Sequence, residues 1–91
     1  MNKQTRKKLG KIADECTTVA TMIEGLKTDL EYIQEEEQEK YDNLPEGLQE
    51  SEMGWKCCES ADSIEDIVNR LDNLATELYD ISNDIELLTE N

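Results

Sequence analysis

Two stretches of the chain carry apolar residues at alternating steps of three and four, the spacing of a helix that buries one face. Neither stretch is interrupted by a polar residue at these positions. The first comprises Leu9, Ile12, Cys16, Val19, Ile23, Leu26, Leu30 and Ile33, and the second Ile64, Ile67, Leu71, Leu74, Leu78, Ile81, Ile85 and Leu88. We call them the heptad seams. They predict two long helices that pack along a common line.

The segment between the seams predicts where the helices end. It holds the only proline of the chain, Pro45, which cannot continue a helix interior and disfavours the helical conformation at Leu44. Gly47 adds a flexible position, and Ser51 is a suitable N-cap for the next helix. The expected elements are a helix over about 3–43, a turn over about 44–50 and a helix over about 51–89.

The short link predicts that the two helices are antiparallel neighbours. The expected fold class is therefore all-α: a coiled-coil-like, antiparallel two-helix hairpin that forms a single domain over residues 1–91. A further stripe of mostly small residues lies beside the seams, so the apolar face is wider than a two-stranded coiled coil needs. We predict that two hairpins pair into a four-helix bundle through this stripe. It consists of Ala13, Ala20, Ala61, Val68 and Ala75.

Charge restricts the partners of such a hairpin. The formal net charge is −14, with +5 in the first eleven residues and −19 in the remaining eighty. An acidic body is repelled by nucleic acid and by anionic membranes and is attracted to basic proteins. We therefore expect no direct binding to nucleic acid and no membrane association. The bases at the N-terminus are expected to neutralise the acidic end of the second helix.

Features that are missing from the sequence indicate the cellular compartment and restrict the possible chemistry. No apolar stretch is long enough for a membrane span or a signal peptide, and three cysteines do not form a secreted disulfide framework. We expect a cytoplasmic protein. Histidine is absent, which excludes Ser–His and Cys–His catalysis and any His-ligated metal site. The expectation is a protein that is not an enzyme and needs no cofactor.

One acidic pattern supports an enzymatic alternative. Glu35-Glu36-x-x-Glu39 followed by Glu59-x-x-Asp62 resembles the EExxE…ExxD pattern of MazG-type nucleotide pyrophosphohydrolases. The resemblance implies that these carboxylates hold Mg²⁺ between adjacent helices. The family's surrounding apolar pattern and its basic nucleotide contacts are not evident here. A second alternative is a nucleotide-sequestering oligomer, for which Lys27, Lys40, Lys56 and Arg70 are the only bases outside the N-terminus.

The turn carries a second resemblance. An acidic run over residues 35–39 and the turn Asn43-Leu44-Pro45-Glu46 stand between two heptad helices, after a basic start. In this the chain is similar to small acidic helical-hairpin proteins of phages and prophages of Gram-positive bacteria. Where many of these carry an arginine after the Ser-Glu, this chain has Met53-Gly54-Trp55. The resemblance implies a mobile-element context and an accessory role.

The leading hypothesis is a non-enzymatic interaction protein. It forms a homodimer and binds a host or defence protein, which it inhibits by presenting carboxylates to a basic groove that normally binds nucleic acid. The single tryptophan near the turn has two interpretations. It caps the bundle end with Tyr41, Leu44 and Leu48, or it joins the acidic run in the expected surface, because aromatic residues are common anchors at protein interfaces. The expected interaction residues are Glu35, Glu36, Glu39, Asp42, Glu52, Trp55 and Glu59.

Overall fold

The computed structural model describes residues 1–90 and consists of two long helices and a short connector. Helix α1 spans Lys3–Asp42, α2 spans Glu46–Gln49 and α3 spans Glu52–Glu90. The predicted all-α hairpin of two long antiparallel helices that pack together is confirmed. The chain divides into two compact units. We call Met1–Gly25 with α3 from Leu71 onward the terminal unit, and Leu26–Arg70 the connector unit.

The helix ends follow the capping chemistry of the sequence. The side chain of Asn2 accepts a hydrogen bond from the Thr5 backbone N–H at 2.8 Å, so Asn2 caps the start of α1. Ser51 stands just before α3, as predicted for an N-cap, and its carbonyl accepts from the Trp55 N–H at 3.0 Å. Its hydroxyl, however, donates to the Leu48 carbonyl, because the end of α2 leaves that carbonyl within reach.

The residues buried deepest in the hairpin are small, and they recur at every seventh position. In the terminal unit they are Ala13 and Ala20 on α1, both 0% exposed, and Ala75 and Ser82 on α3. In the connector unit they are Gly54, Ala61 and Val68 on α3. We call these seven residues the inner stripe. Because its side chains are short, the backbone of one helix can approach the other closely.

Hydrogen bonds between the helices of the terminal unit show this close approach. The Ser82 hydroxyl donates to the backbone carbonyl of Ala13 at 2.9 Å, so a side chain of α3 touches the backbone of α1. The Thr17 and Ser82 hydroxyl oxygens lie 3.0 Å apart. On the same edge, the hydroxyls of Thr21 and Tyr79 lie 3.3 Å apart. Polar contacts therefore run along one edge of the helix pair.

The heptad seams divide between two environments. Every second member of each seam is half-buried beside the inner stripe, such as Leu9 and Ile23 on α1 and Leu71 and Leu78 on α3. The alternate members are exposed although they are large and apolar. These are Ile12, Val19, Leu26, Ile33, Ile67, Leu74, Ile81 and Leu88. The seams therefore contribute only half of their members to the hairpin interior.

This arrangement corrects the predicted dimer interface. From the width of the apolar face we predicted a contact between two hairpins through Ala13, Ala20, Ala61, Val68 and Ala75. The structure buries all five within one chain, with exposures of 7% or less, so they leave almost no surface for a second copy. The physical reason is that the helices meet along the small residues, and the bulkier seam residues turn partly away from the contact.

The connector packs closely against the first turn of α3. Gly54 is buried there, and a Cβ added to it would lie 2.6 Å from the carbonyl carbon of Gln49 and closer still to the Gln49 oxygen. The Gln49 side chain in turn donates to the Tyr41 carbonyl at 3.2 Å. A glycine inside a helix usually lowers the stability of that helix. Here the missing side chain allows the connector backbone at Gln49 to approach α3.

None of the helices within residues 1–90 combines the length and the apolar character that a membrane-spanning helix needs.

We expect Gly54→Ala to destabilise the hairpin by about 1–3 kcal/mol, because the new methyl group meets backbone that cannot move aside easily. Gly25→Ala is the matched control. Gly25 also lies inside a helix, but a Cβ there meets nothing within 4 Å, so alanine should stabilise by about 0.5–1 kcal/mol. Thermal unfolding followed by circular dichroism measures both. Equal effects in the same direction would contradict the packing at Gly54.

A second expectation concerns the hydrogen bonds between the helices. Ser82→Ala should cost about 0.5–1.5 kcal/mol of unfolding free energy, because it removes the hydroxyl that joins α3 to α1. The control is Thr18→Ala, whose exposed hydroxyl bonds within its own helix, to the Asp14 carbonyl at 3.0 Å. That change should be neutral or slightly stabilising. Urea denaturation compares the two, and a Ser82→Ala protein as stable as wild type would contradict the contact.

Candidate interaction surfaces

All seven predicted interaction residues lie in the connector unit and all are exposed. Four stand on the last turns of α1 and three on the first turns of α3. They are Glu35, Glu36, Glu39 and Asp42, followed by Glu52, Trp55 and Glu59. The connector unit holds fourteen acidic and four basic residues, a net charge of −10. The terminal unit, with nine acids and five bases, has a net charge of −4.

A shallow groove on α3 brings two of these residues together with acids that lie further along the helix. Trp55 and Glu59 line it with Asp62 and Asp66, and Arg70 lies at its far end. The groove has a volume of about 840 Å³ and is lined by α3 alone. The Trp55 side chain is 67% exposed, so the indole is available to a partner. The groove thus combines an exposed aromatic ring with three carboxylates.

Other predicted residues sit in separate polar environments. Glu52 lies 3.4 Å from Lys56, and both line a second groove with Glu37 and Cys57. Glu35 lines a smaller depression on α1 together with Tyr32. The Asp42 carboxylate accepts a hydrogen bond from the Gln38 side chain at 3.1 Å. The predicted set is therefore distributed over several surfaces of the unit, and the groove on α3 unites only part of it.

A lysine near the end of α1 is bound by its own helix. Lys40 donates to Glu37 at 2.9 Å, and this hydrogen bond, with the negative charge of Glu37, raises the pKa of the Lys40 ammonium. Because the pKa is raised, the contribution of the pair to stability is present at neutral pH and is lost as the pH rises through the pKa of the folded state. The ion pair is exposed and adds little to stability.

The carboxylates of the pyrophosphohydrolase-like pattern do not gather into a metal site. Within residues 1–90, no group of three or more acidic or cysteine side chains has the geometry to hold a metal ion. Glu59 and Asp62 share the groove on α3, whereas Glu35 lines a depression on α1. Glu36 and Glu39 are exposed on α1. The metal-dependent alternative therefore depends on the sequence pattern alone.

The terminal unit presents a surface of the opposite character. Eight of the exposed, large apolar residues within residues 1–90 belong to it. Five of these recur at every seventh position of their helix, and we call them the outer apolar face: Ile12, Val19, Leu74, Ile81 and Leu88. Four of the five directly precede a residue of the inner stripe, as Ile12 precedes Ala13 and Ile81 precedes Ser82. Exposed apolar side chains in such a regular row are characteristic of a surface that another molecule covers.

The sequence predicted Trp55 and Glu59 of the groove as interaction residues. It did not predict their grouping with Asp62 and Asp66, or the outer apolar face, although each leaves a signal. Trp55, Glu59, Asp62 and Asp66 follow one another at steps of four, three and four, which places them on one side of a helix. The outer apolar face was hidden inside the seams, because a step of three and four does not show which members face the partner helix. The smaller residue in each heptad was the available clue.

Comparison of the chain with protein-family models, with curated proteins and with solved structures finds no match. Both resemblances described above therefore remain hypotheses drawn from the sequence.

Proposed function

We propose that this chain is a non-enzymatic interaction protein whose connector unit binds a basic segment of another protein. The observation that carries the proposal is the groove on α3, where an exposed Trp55 stands in line with Glu59, Asp62 and Asp66. A lysine or arginine of the partner can lie over the indole face while its neighbours meet the carboxylates. An exposed tryptophan in an acidic groove is well suited to this role.

The distribution of charge supports the same partner. The connector unit concentrates a net charge of −10, so a basic protein is attracted to it over a range set by the ionic strength. Complementary charge of this kind raises the association rate and excludes acidic competitors. Arg70 at the end of the groove can bind one acidic group in an otherwise basic partner segment, because its guanidinium donates hydrogen bonds to carboxylates.

The proposal includes the more specific function that we inferred from the sequence. The partner is a host or defence protein with a basic groove for nucleic acid, and the carboxylates of the connector unit take the place of phosphates. A mobile-element context, to which the turn sequence points, would favour such an inhibitor. We further propose that two hairpins pair into a four-helix bundle in the cytoplasm.

Binding to a defined basic peptide tests the groove. We expect a Lys/Arg-rich peptide of about 20 residues to bind the purified protein in calorimetric titrations, and its affinity to fall about tenfold or more between about 50 and 300 mM salt. The triple variant Glu59→Gln, Asp62→Asn, Asp66→Asn should weaken binding strongly at low salt. Trp55→Ala should weaken it about three- to fivefold.

A matched control separates the groove from the net charge. The triple variant Asp80→Asn, Glu86→Gln, Glu90→Gln removes the same number of charges from the same helix, but in the terminal unit. It should reduce peptide affinity only slightly. Equal losses in the two triple variants, or binding that does not depend on salt, would overturn the proposed site.

The hypothesis that the connector unit mimics nucleic acid predicts competition with DNA. A DNA-handling protein that binds this chain should release it when duplex DNA is added, because both ligands occupy the same basic groove. A binding assay with increasing concentrations of a short duplex measures the competition. A complex that forms equally well with and without saturating duplex would refute mimicry while leaving peptide binding intact.

A further inference from the structure

We propose that the outer apolar face of the terminal unit is covered by the same face of a second copy of this chain. The inference rests on the proposed pairing of hairpins and names the surface that carries it. The dimer interface predicted from the sequence was the stripe of small residues, which the single chain already buries. The interface proposed now consists of Ile12, Val19, Leu74, Ile81 and Leu88.

The five residues lie on one side of the terminal unit. Four of them directly precede a residue of the inner stripe, and Leu88 follows Ile81 by seven residues, at the same heptad position. Two antiparallel helices are related by a two-fold axis perpendicular to the plane that contains them, and this axis keeps equivalent positions on the same side. The hydrogen-bonded edge, with Thr17 and Tyr79, occupies the other side. The outer apolar face is thus one continuous surface.

The chain exposes more surface than a globular protein of its mass, which leaves area available for a second copy. The accessible surface of the chain is 6851 Å², whereas a monomeric globular protein of 10.4 kDa exposes roughly 5,400 Å². The excess of roughly 1,400 Å² exceeds the roughly 800 Å² that each partner buries in a standard interface. This excess is a property of the whole chain, and the outer apolar face supplies part of it.

Charges at the rim of this face select a second copy and its orientation. Lys8 lies one turn before Ile12 on α1, and Asp84 lies between Ile81 and Leu88 on α3. Ser82 contacts Ala13 within one chain, so Lys8 and Asp84 lie near the same level of the unit. A two-fold axis along the helices sets α1 beside α3 of the second copy, with Lys8 next to the second copy's Asp84.

The same orientation matches the wider charge pattern of the unit. The first eleven residues carry +5, and α3 from Asp80 to Glu90 carries four acids and no base. This arrangement lays the basic segment of one copy beside the acidic segment of the other. It also brings Glu15 near Glu77 of the second copy, one like-charge pair at an exposed rim, where such pairs matter little. The other two-fold arrangement, in which α1 packs antiparallel on α1 of the second copy, would not lay the basic segment beside the acidic one.

Light scattering after size-exclusion chromatography tests the face. At about 100 µM, wild type should show twice the chain mass of 10.4 kDa, and Ile81→Asp and Val19→Asp should each show the mass of one chain. Leu87→Asp is the matched control: Leu87 is next to the face residue Leu88 on α3 and is 58% exposed, but it points away from the face. That variant should remain a dimer.

A charge exchange tests the orientation without touching the apolar residues. Lys8→Glu should weaken the dimer about three- to tenfold, and adding Asp84→Lys should restore it. Lys7→Glu makes the same charge change on the outer side of α1 and should have a smaller effect. The charge exchange still tests the orientation if an aspartate variant fails to fold. Loss of the helical circular dichroism signal would reveal such a failure.

The outcomes separate the face from the pairing itself. A wild-type monomer at about 100 µM would overturn both. A dimer that survives Ile81→Asp and Val19→Asp but dissociates when Ile33→Asp alters the connector unit would overturn this face and leave the pairing. Failure of the charge exchange to restore the dimer would overturn the orientation. Binding of the basic peptide to the connector unit is independent of all three results.

Discussion

The structure depends on one steric constraint: the residues buried deepest between the helices have short side chains. They recur at every seventh position of α3 from Gly54 to Ser82, and on α1 they are Ala13 and Ala20. Ala13 and Ala20 are fully buried, and Ser82 reaches the backbone of the opposite helix. Packing density in a protein interior leaves no space for larger groups at such contacts. Once the backbones approach along this line, the large residues that directly precede small ones, such as Ile12 before Ala13 and Ile81 before Ser82, are turned out of the contact. The interior of the hairpin and its exposed apolar surface therefore have the same cause.

Much of the fold could be predicted from the sequence, because periodicity and turn chemistry act locally. The apolar spacing from Leu9 to Ile33 requires a helix, and Pro45 ends it close to Asp42, where the structure ends α1. Which side of each helix faces the other could not be predicted in the same way. An apolar arc that holds both large and small residues permits more than one choice. The structure buries the small residues deepest and places only every second large seam residue beside them. Backbone proximity, which the sequence does not display, decides between these choices.

The candidate surfaces, too, could be predicted only in part from the sequence. Glu59 and Trp55 were predicted from charge and from the rarity of tryptophan, and the groove adds Asp62 and Asp66 at helical spacing. The acids of α1 were expected beside them because they are close to the turn in sequence. The described residues form no cluster that could hold a metal ion. Two surfaces with different chemistry emerge: an acidic groove with an exposed indole in the connector unit, and an apolar face that contains no charge in the terminal unit.

The inner stripe is tested most directly by enlarging one of its residues and measuring the free energy of unfolding. Ala20→Leu should lose about 1–3 kcal/mol because the added atoms have no space, and the loss should be the same at every chain concentration, since the contact lies within one chain. Thr18→Leu, exposed two residues away, should cost much less. An Ala20→Leu protein as stable as wild type, or a loss that appears only at concentrations where chains associate, would contradict the account.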